Sequence, residues 1–357
     1  MKRYTPKVNK YLKKVTIEKY NSGISTHLLD LMIPPLRYDY YQIRPETVGG
    51  DAPKDFIGLY EYDGKVRRQH PNTWVRHVAK VGHKWYPFES IMEHLLNRIG
   101  EVLGLNMASS QLRMAHGQLR FLSRYFLKPE EGQSMMHGAQ IYSTYLGDGK
   151  DNTKFIDEIE YNKLARQLLT FQLTDEAIKF VFPNQHENIM GKLVQLLLFD
   201  AMIGNNDRHH YNWAIITNNI KSDWTPVFSP IYDTARGLFW NESEENLNKH
   251  FFYQRGGKAG QINEEKLEKY IKNSRPKTGW EGWKGKKKEN HFELLKLIYE
   301  HYPQYRNTCN ELLKNVSLNS IIDLIDNEFK LYFTEKRYIL TIRCLEIRFN
   351  RLQNLCK

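Results

Sequence analysis

The rhythm of apolar residues changes near Lys128. Before that point it is strand-like. Phe56-Ile57-Gly58-Leu59-Tyr60-Glu61-Tyr62 is rich in β-formers, Asp63-Gly64 is a turn dipeptide, and Trp74 to Val81 reads as a second strand. One helix interrupts this region: Ile91, Leu95, Leu96, Ile99, Val102 and Leu103 recur at helical spacing, and Gly104 supplies a stop. Leu119 to Phe126 reads as a further strand. After Lys128 helical periodicity dominates, from about Ile156 to Leu173 and from Asn188 to Ile203. Residues 213–228 read as a hairpin, Trp213 to Ile216 against Trp224 to Phe228, with a turn at Asn218-Asn219. Beyond about Asn241 the chain is mostly helical, and Ile321 to Leu355 forms a long amphipathic helix or a pair. Ser274 to Lys288, with its Gly, Ser, Pro and clustered Lys, reads as an exposed loop.

This order predicts an α+β chain with a small β-rich lobe over residues 1–127 and a larger, mostly helical lobe over 128–357. Hydrophobic residues at 41% and aromatics at 13% exclude a disordered chain. Apolar stretches such as Leu196–Phe199 are too short for a membrane-spanning helix, and no apolar run follows the N-terminal charges as a secretory signal requires. Cys309, Cys344 and Cys356 are odd in number and lack CxxC spacing, which fits a reducing cytosol and argues against zinc or a disulfide framework. The net charge of +11 suits a nucleic acid, an anionic membrane surface or a phosphate-bearing ligand. Solvated tails account for it as well, since much of the excess lies in Lys2 to Lys19 and Lys284 to Lys288.

The sharpest chemical signal is Gly204-Asn205-Asn206-Asp207-Arg208-His209-His210-Tyr211-Asn212, between an apolar helix and an apolar strand. Phosphoryl transfer needs a carboxylate to orient or deprotonate the attacking hydroxyl, and an oxygen ligand for magnesium nearby. Asp207 and Asn212 supply both from one segment. Read alone, the segment is equally a polar turn with structural histidines. Pro230-Ile231-Tyr232-Asp233 then places a second carboxylate just after the hairpin, where a metal-bridged triphosphate would need it. Upstream, Thr47-Val48-Gly49-Gly50-Asp51-Ala52-Pro53-Lys54 offers a backbone that can approach phosphate oxygens. Lys80, alternating with apolar neighbours on its strand, is costly to turn inward unless it meets an anion, with Glu93 or Glu89 as candidate partner.

In this order the motifs resemble the HipA-like serine/threonine kinases of bacterial toxin–antitoxin systems, from about Thr47 to Asp233. The resemblance implies a two-lobed, protein-kinase-like fold that uses ATP and Mg²⁺. It implies that Thr47, Val48, Gly49, Gly50, Asp51, Ala52 and Lys54 form the phosphate loop, with Lys80 on the α/β-phosphates and Glu93 as its ion-pairing glutamate. Ser123 and Tyr125 fall on the hinge that meets adenine. The resemblance also implies that Asp207 is the catalytic carboxylate of the loop, with His209 beside it on the nucleotide side, and that Asn212 and Asp233 hold the metal. Asp51 and Ala52 depart from the family's small residue and Gln, and Asp51 sets an acid near the phosphates. Thr47 falls where the family carries an autophosphorylated serine. The expected partners are a protein substrate, such as an aminoacyl-tRNA synthetase or a host protein, and a separate antitoxin-like protein. The expected location is the cytoplasm, or secretion as an effector without a classical signal.

Two other readings stay open at this stage. An Asp-Arg-His-x-x-Asn loop also serves phosphoinositide kinases, which implies a lipid or small-molecule substrate. A nucleotide-free pseudokinase is the other, motivated by Asp51 and by the basic charge. Cations and aromatics in Arg275 to Lys288, with Trp280 and Trp283, leave nucleic acid as a partner.

Overall fold

The structure, a computed structural model, describes residues 32–46, 53–62, 64–83, 86, 88–147, 153–284, 289–314 and 317–356. The chain divides into two units. The first takes residues up to His94, Ala108–Phe126 and Trp240–Ser243; the second takes Leu95–Met107, Leu127–Phe239 and the chain from Glu244 onward.

The first unit is built on one antiparallel sheet. Strands β1 (Tyr41–Ile43), β2 (Lys54–Leu59), β3 (Val75–Val81), β4 (Ser110–Ala115) and β5 (Gln118–Arg124) lie in the order β1-β2-β3-β5-β4. The period-two pattern of β3 decides its faces: His77, Ala79 and Val81 are buried, while Arg76, Val78 and Lys80 are half-buried. Ala79 joins Leu36, Tyr41, Ile57, Leu59, Ala115 and Leu122 in a core on one side. On the opposite face the register sets Lys80 between Lys54 and Phe121, and Val78 between Phe56 and Ser123. Helix α1 (Glu89–Val102) follows β3 and passes at Leu95 from the residues of the first unit to those of the second; Ile91, Met92, Leu95, Leu96 and Ile99 are fully buried and Gly104 lies beyond its end at φ 72°.

The second unit carries a small sheet, β6 (Gln133–His137), β7 (Ala214–Asn218) and β8 (Val227–Phe228), in that order. Its principal helices are α2 (Gly138–Tyr145), α3 (Lys154–Tyr161), α4 (Phe171–Val181), α5 (His186–Ile203), α6 (Glu244–Phe251), α7 (Glu264–Asn273), α8 (His291–His301), α9 (Arg306–Lys314) and α10 (Glu335–Leu355). Helix α5 is the centre. Every residue from Leu196 to Ile203 is buried, Asp200 included, and α4, α8, α9 and α10 pack around it. Its second half, apolar on nearly all sides, has to be enclosed this way, whereas Glu187, Asn188 and Lys192 in the first half are exposed. Each fully buried Leu, Ile or Phe contributes about 1.5–3 kcal/mol.

Three expectations are corrected in this unit. The 213–228 hairpin is only a two-residue pairing of β7 with β8; the main partner of β7 is β6, from His137↔Ala214 to Gln133↔Asn218. Pro226, which has no amide proton to donate, directly precedes β8. The run from Ile156 to Leu173 is not one helix. Lys163 adopts φ 59°, and the Thr170 hydroxyl caps α4 by accepting from the Leu173 amide at 3.2 Å. Nor is all of Ser274 to Lys288 an exposed loop: Glu281, Gly282 and Lys284 are exposed and 285–288 lie outside the described residues, but 274–280 is turned inward. Ser274, Pro276, Thr278 and Gly279 are buried, and Gly279 bonds through its backbone to Leu169 and Phe171. A Cβ at Gly279 would come within 1.7 Å of the Arg166 carbonyl oxygen, so a side chain cannot fit there. No helix among the described residues is long and apolar enough to cross a membrane.

Candidate active site

In the first unit the β3 lysine meets its anion. Lys80 Nζ lies 2.9 Å from Glu93 Oε1, with the two side chains 17% and 5% exposed. A carboxylate this deeply buried is costly without such a partner. Lys80 Nζ also sits 5.6 Å from the centre of the Phe121 ring. The register sets Lys54 directly opposite Lys80, so two cations are neighbours on one sheet face, an arrangement that favours an anion there. Ser123 belongs to the same face, and just beyond β5 the Tyr125 amide donates to the Arg76 carbonyl at 2.8 Å. Thr47, Val48, Gly49, Gly50, Asp51 and Ala52 lie outside the described residues.

In the second unit the loop after α5 is tied down from within. Gly204 ends the helix at φ 70°, and Asn205 Nδ2 donates to the buried Asp200 carboxylate at 2.9 Å. Asn205 Oδ1 in turn accepts from the Asp207 amide at 3.0 Å. Arg208 holds the assembly together. Its Nε and Nη2 donate to Asp200 at 3.0 and 3.1 Å, while Nη1 donates to the carbonyls of Asn212 at 2.8 Å and Tyr232 at 2.7 Å. One nitrogen therefore joins the loop that carries Asp207 to the segment that carries Asp233. Burial pushes the Asp200 carboxyl up and opposes the charge on Arg208, but the Asp200 carboxylate holds the guanidinium above its ordinary value.

The Asp233 segment is fixed by several further contacts. Leu238 donates its amide to the Ile203 carbonyl at 2.8 Å and Asn206 donates to Arg236 at 3.3 Å. The Tyr232 hydroxyl donates to the Tyr211 carbonyl at 2.8 Å, and burial raises its pKa. Asp233 itself sits at φ 55°, a left-handed conformation that costs an ordinary residue on the order of 1–2 kcal/mol. Strain of this kind gathers where a side chain must be aimed.

Asn212 Nδ2 donates to the Asp207 carbonyl at 2.9 Å, which leaves Oδ1 as the end of the amide suited to a cation. Among the described residues no three His, Cys, Asp or Glu side chains gather as a metal centre. A hard divalent ion in a phosphoryl-transfer site draws on an amide oxygen, a carboxylate, water and phosphate, and Asn212 with Asp233 fits that donor set. His209 donates its amide to the Asp207 carbonyl at 2.8 Å and accepts the Tyr211 amide on Nδ1 at 3.3 Å. His210 is fully buried, and burial, with His209 and Lys277 nearby, pushes its pKa down to about 3.

Several members of this constellation were not identified from the sequence. Asp200 is the one carboxylate in an apolar helix segment, a pattern that should have marked it as paired. Arg208 was visible but unassigned. Lys277 and Arg236 approach Asp207 from distant sequence, each at 3.8 Å from one of its carboxylate oxygens, and no local pattern announces them.

The HipA-like C-terminal domain model matches residues 47–322. No curated protein gives a match. Among solved structures the chain is similar to the Helicobacter pylori proinflammatory kinase CtkA, with 16% identity and a TM-score of 0.65 over 90% of this chain and 97% of that one. It is also similar to the Shewanella oneidensis MR-1 HipA, solved with HipB and operator DNA, at 13% identity and a TM-score of 0.41, covering 87% of this chain and 66% of that one. For the Golgi casein kinase the values are 12% and 0.31, covering 93% and 76%. The first likeness establishes an α+β, two-lobed, kinase-like fold. With the family model spanning most of its length, the chain belongs to the HipA-like C-terminal domain family.

Proposed function

We propose that this protein is an ATP- and magnesium-dependent kinase that phosphorylates serine or threonine in a protein substrate. The observation that carries the reading is the single Arg208 guanidinium that laces the Asp207–Asn212 loop to the backbone of Tyr232, next to Asp233. Asp207 takes the proton of the acceptor hydroxyl as its oxygen forms the new bond to the γ-phosphorus. The bond from that phosphorus to the bridging oxygen breaks with its electron pair on the departing ADP. Asn212 and Asp233 are assigned to magnesium, which when bound neutralises phosphate charge. Lys80, steadied by Glu93, and Lys54 are assigned to the phosphates, with the backbone of Thr47–Ala52. Ser123 and Tyr125 are assigned to the adenine side and His209 to the nucleotide beside Asp207. We assign the nucleotide-binding role to residues 1–127 and the catalytic role to 128–357.

An aminoacyl-tRNA synthetase or a host protein remains the proposed type of target, and a separate antitoxin-like protein the proposed partner, in the cytoplasm or after secretion. The test uses purified protein, radiolabelled ATP and magnesium, with a protein acceptor in one arm and phosphoinositide vesicles in the other. Phosphate should enter protein, and Asp207→Asn should lower the rate about 10²–10⁴-fold, the usual worth of a positioned base. Transfer to lipid alone would replace this reading with a lipid kinase, and an Asp207→Asn enzyme of full activity would end the assignment of the base.

A further inference from the structure

Residues 274–280 form a strap pinned at both ends. At one end Asn206, in the candidate catalytic loop, accepts on Oδ1 from the Ser274 hydroxyl at 3.1 Å and the Arg275 amide at 2.8 Å. At the other, Gly279 is bonded to Leu169 and Phe171, and Trp280 stacks on the Phe171 ring at 6.2 Å. Pro276 and Thr278 are buried between these ends, on either side of Lys277. The strap therefore has little freedom, and the one long cation at its middle is aimed rather than loose. Lys277 Nζ stands 3.8 Å from Asp207 Oδ1 and 3.8 Å from Glu160 Oε2. Its side chain is 33% exposed, so one side still faces solvent.

Neither distance is a formed hydrogen bond. A lysine poised between two carboxylates, one of them the proposed base, is placed to meet a third anion. We propose that Lys277 is a further catalytic residue, contacting the phosphoryl group during its transfer to the acceptor held by Asp207. The proposal rests on the kinase reading above. Charge on the phosphoryl oxygens is spread and the group is loosely bonded midway through transfer, so a fixed cation beside the base stabilises that state more than the bound nucleotide. Glu160, whose other oxygen lies 3.7 Å from the buried His210, acts as the resting partner that keeps Lys277 extended.

The test compares binding of ADP with binding of ADP plus aluminium fluoride, both with magnesium, by calorimetry. This pair of probes mimics the transferring phosphoryl group and needs no knowledge of the protein acceptor. Wild type should gain affinity on adding aluminium fluoride. Lys277→Met should lose about 100-fold of that gain while binding ADP as wild type does, and Lys277→Arg should restore part of it. Glu160→Gln should retain most of the gain, which a merely structural Lys277–Glu160 pair would not allow. If Lys277→Met keeps the full gain, the assignment of Lys277 is wrong and the kinase reading stands. If wild type binds neither probe, the kinase reading falls and takes this proposal with it.

Discussion

Lys80–Glu93 and Arg208–Asp200 are ion pairs of nearly equal length, 2.9 and 3.0 Å, yet they are built for different work. Lys80 stands on a strand, 17% exposed, and reaches Glu93 through a flexible four-carbon stem. Arg208 is 2% exposed and spends Nε, Nη1 and Nη2 on two carboxylate oxygens and two carbonyls. Under the proposed function, a lysine that exchanges contacts with a nucleotide gains from a single compact charge it can redirect. The loop of Asp207 and Asn212 and the segment of Asp233, which on the same reading act together, are joined by a planar group with several fixed donors. The two regions thus divide adjustable binding from fixed geometry.

The largest effect should come from breaking the fixed pair. Arg208→Met removes four donated hydrogen bonds and leaves Asp200 as an uncompensated buried charge, which costs about 3–5 kcal/mol. Urea unfolding should show that loss, along with lost activity, because the carbonyls of Asn212 and Tyr232 would no longer share a donor. A loss below about 1 kcal/mol would mean that packing, and not the Arg208 guanidinium, holds the loop.

Breaking the adjustable pair should cost less. Lys80→Met removes the cation 2.9 Å from Glu93, and loss of that bond to a buried carboxylate costs about 1–3 kcal/mol. The sharper signature lies in function: nucleotide affinity should fall. A thermal-shift titration with magnesium ATP reads this, since a ligand that binds only the native state raises its melting temperature. An undiminished shift in the variant would remove Lys80 from the phosphate site.

How much of this the sequence carried follows from the range of each contact. Helix α5 and strand β3 were legible because a repeating apolar pattern over consecutive residues leaves few alternatives, and Gly204 and Gly104 mark where helices stop. The Lys80–Glu93 pair spans thirteen residues across one strand and one helix, close enough to be guessed. Pairings across longer separations were not. Strand β6 precedes β7 by some eighty residues, and nothing local in Gln133–His137 names its partner. The strap at 274–280 failed for a different reason. Its Ser, Pro, Gly and Lys are what an exposed loop would use, and only Asn206, Leu169 and Phe171 turn it inward. Asp207 was legible as a motif, but the cations around it were not, since Arg236 and Lys277 come from other elements.

The smallest predicted effect separates the two regions by pH. His291, at the start of α8, is buried against Arg348 and hydrogen-bonded to the backbone of Asn205, beneath the candidate catalytic loop. Burial, with Arg348 adding to it, pushes its pKa from 6.5 down to about 3. The folded protein then binds fewer protons than the unfolded chain below pH 6.5. Stability from this group is therefore complete above pH 6.5 and is lost as pH falls from there toward 3. Between pH 7 and pH 6 one such histidine costs about 0.7 kcal/mol. In the sheet, His77 is buried too, but Glu61 at 3.7 Å pulls against the desolvation, so its contribution should be weaker. Urea midpoints of wild type and His291→Gln at the two pH values give the difference directly, with wild type losing more on acidification. Equal losses would show that His291 takes up its proton in the folded state, and that water reaches the underside of the loop Arg208 holds.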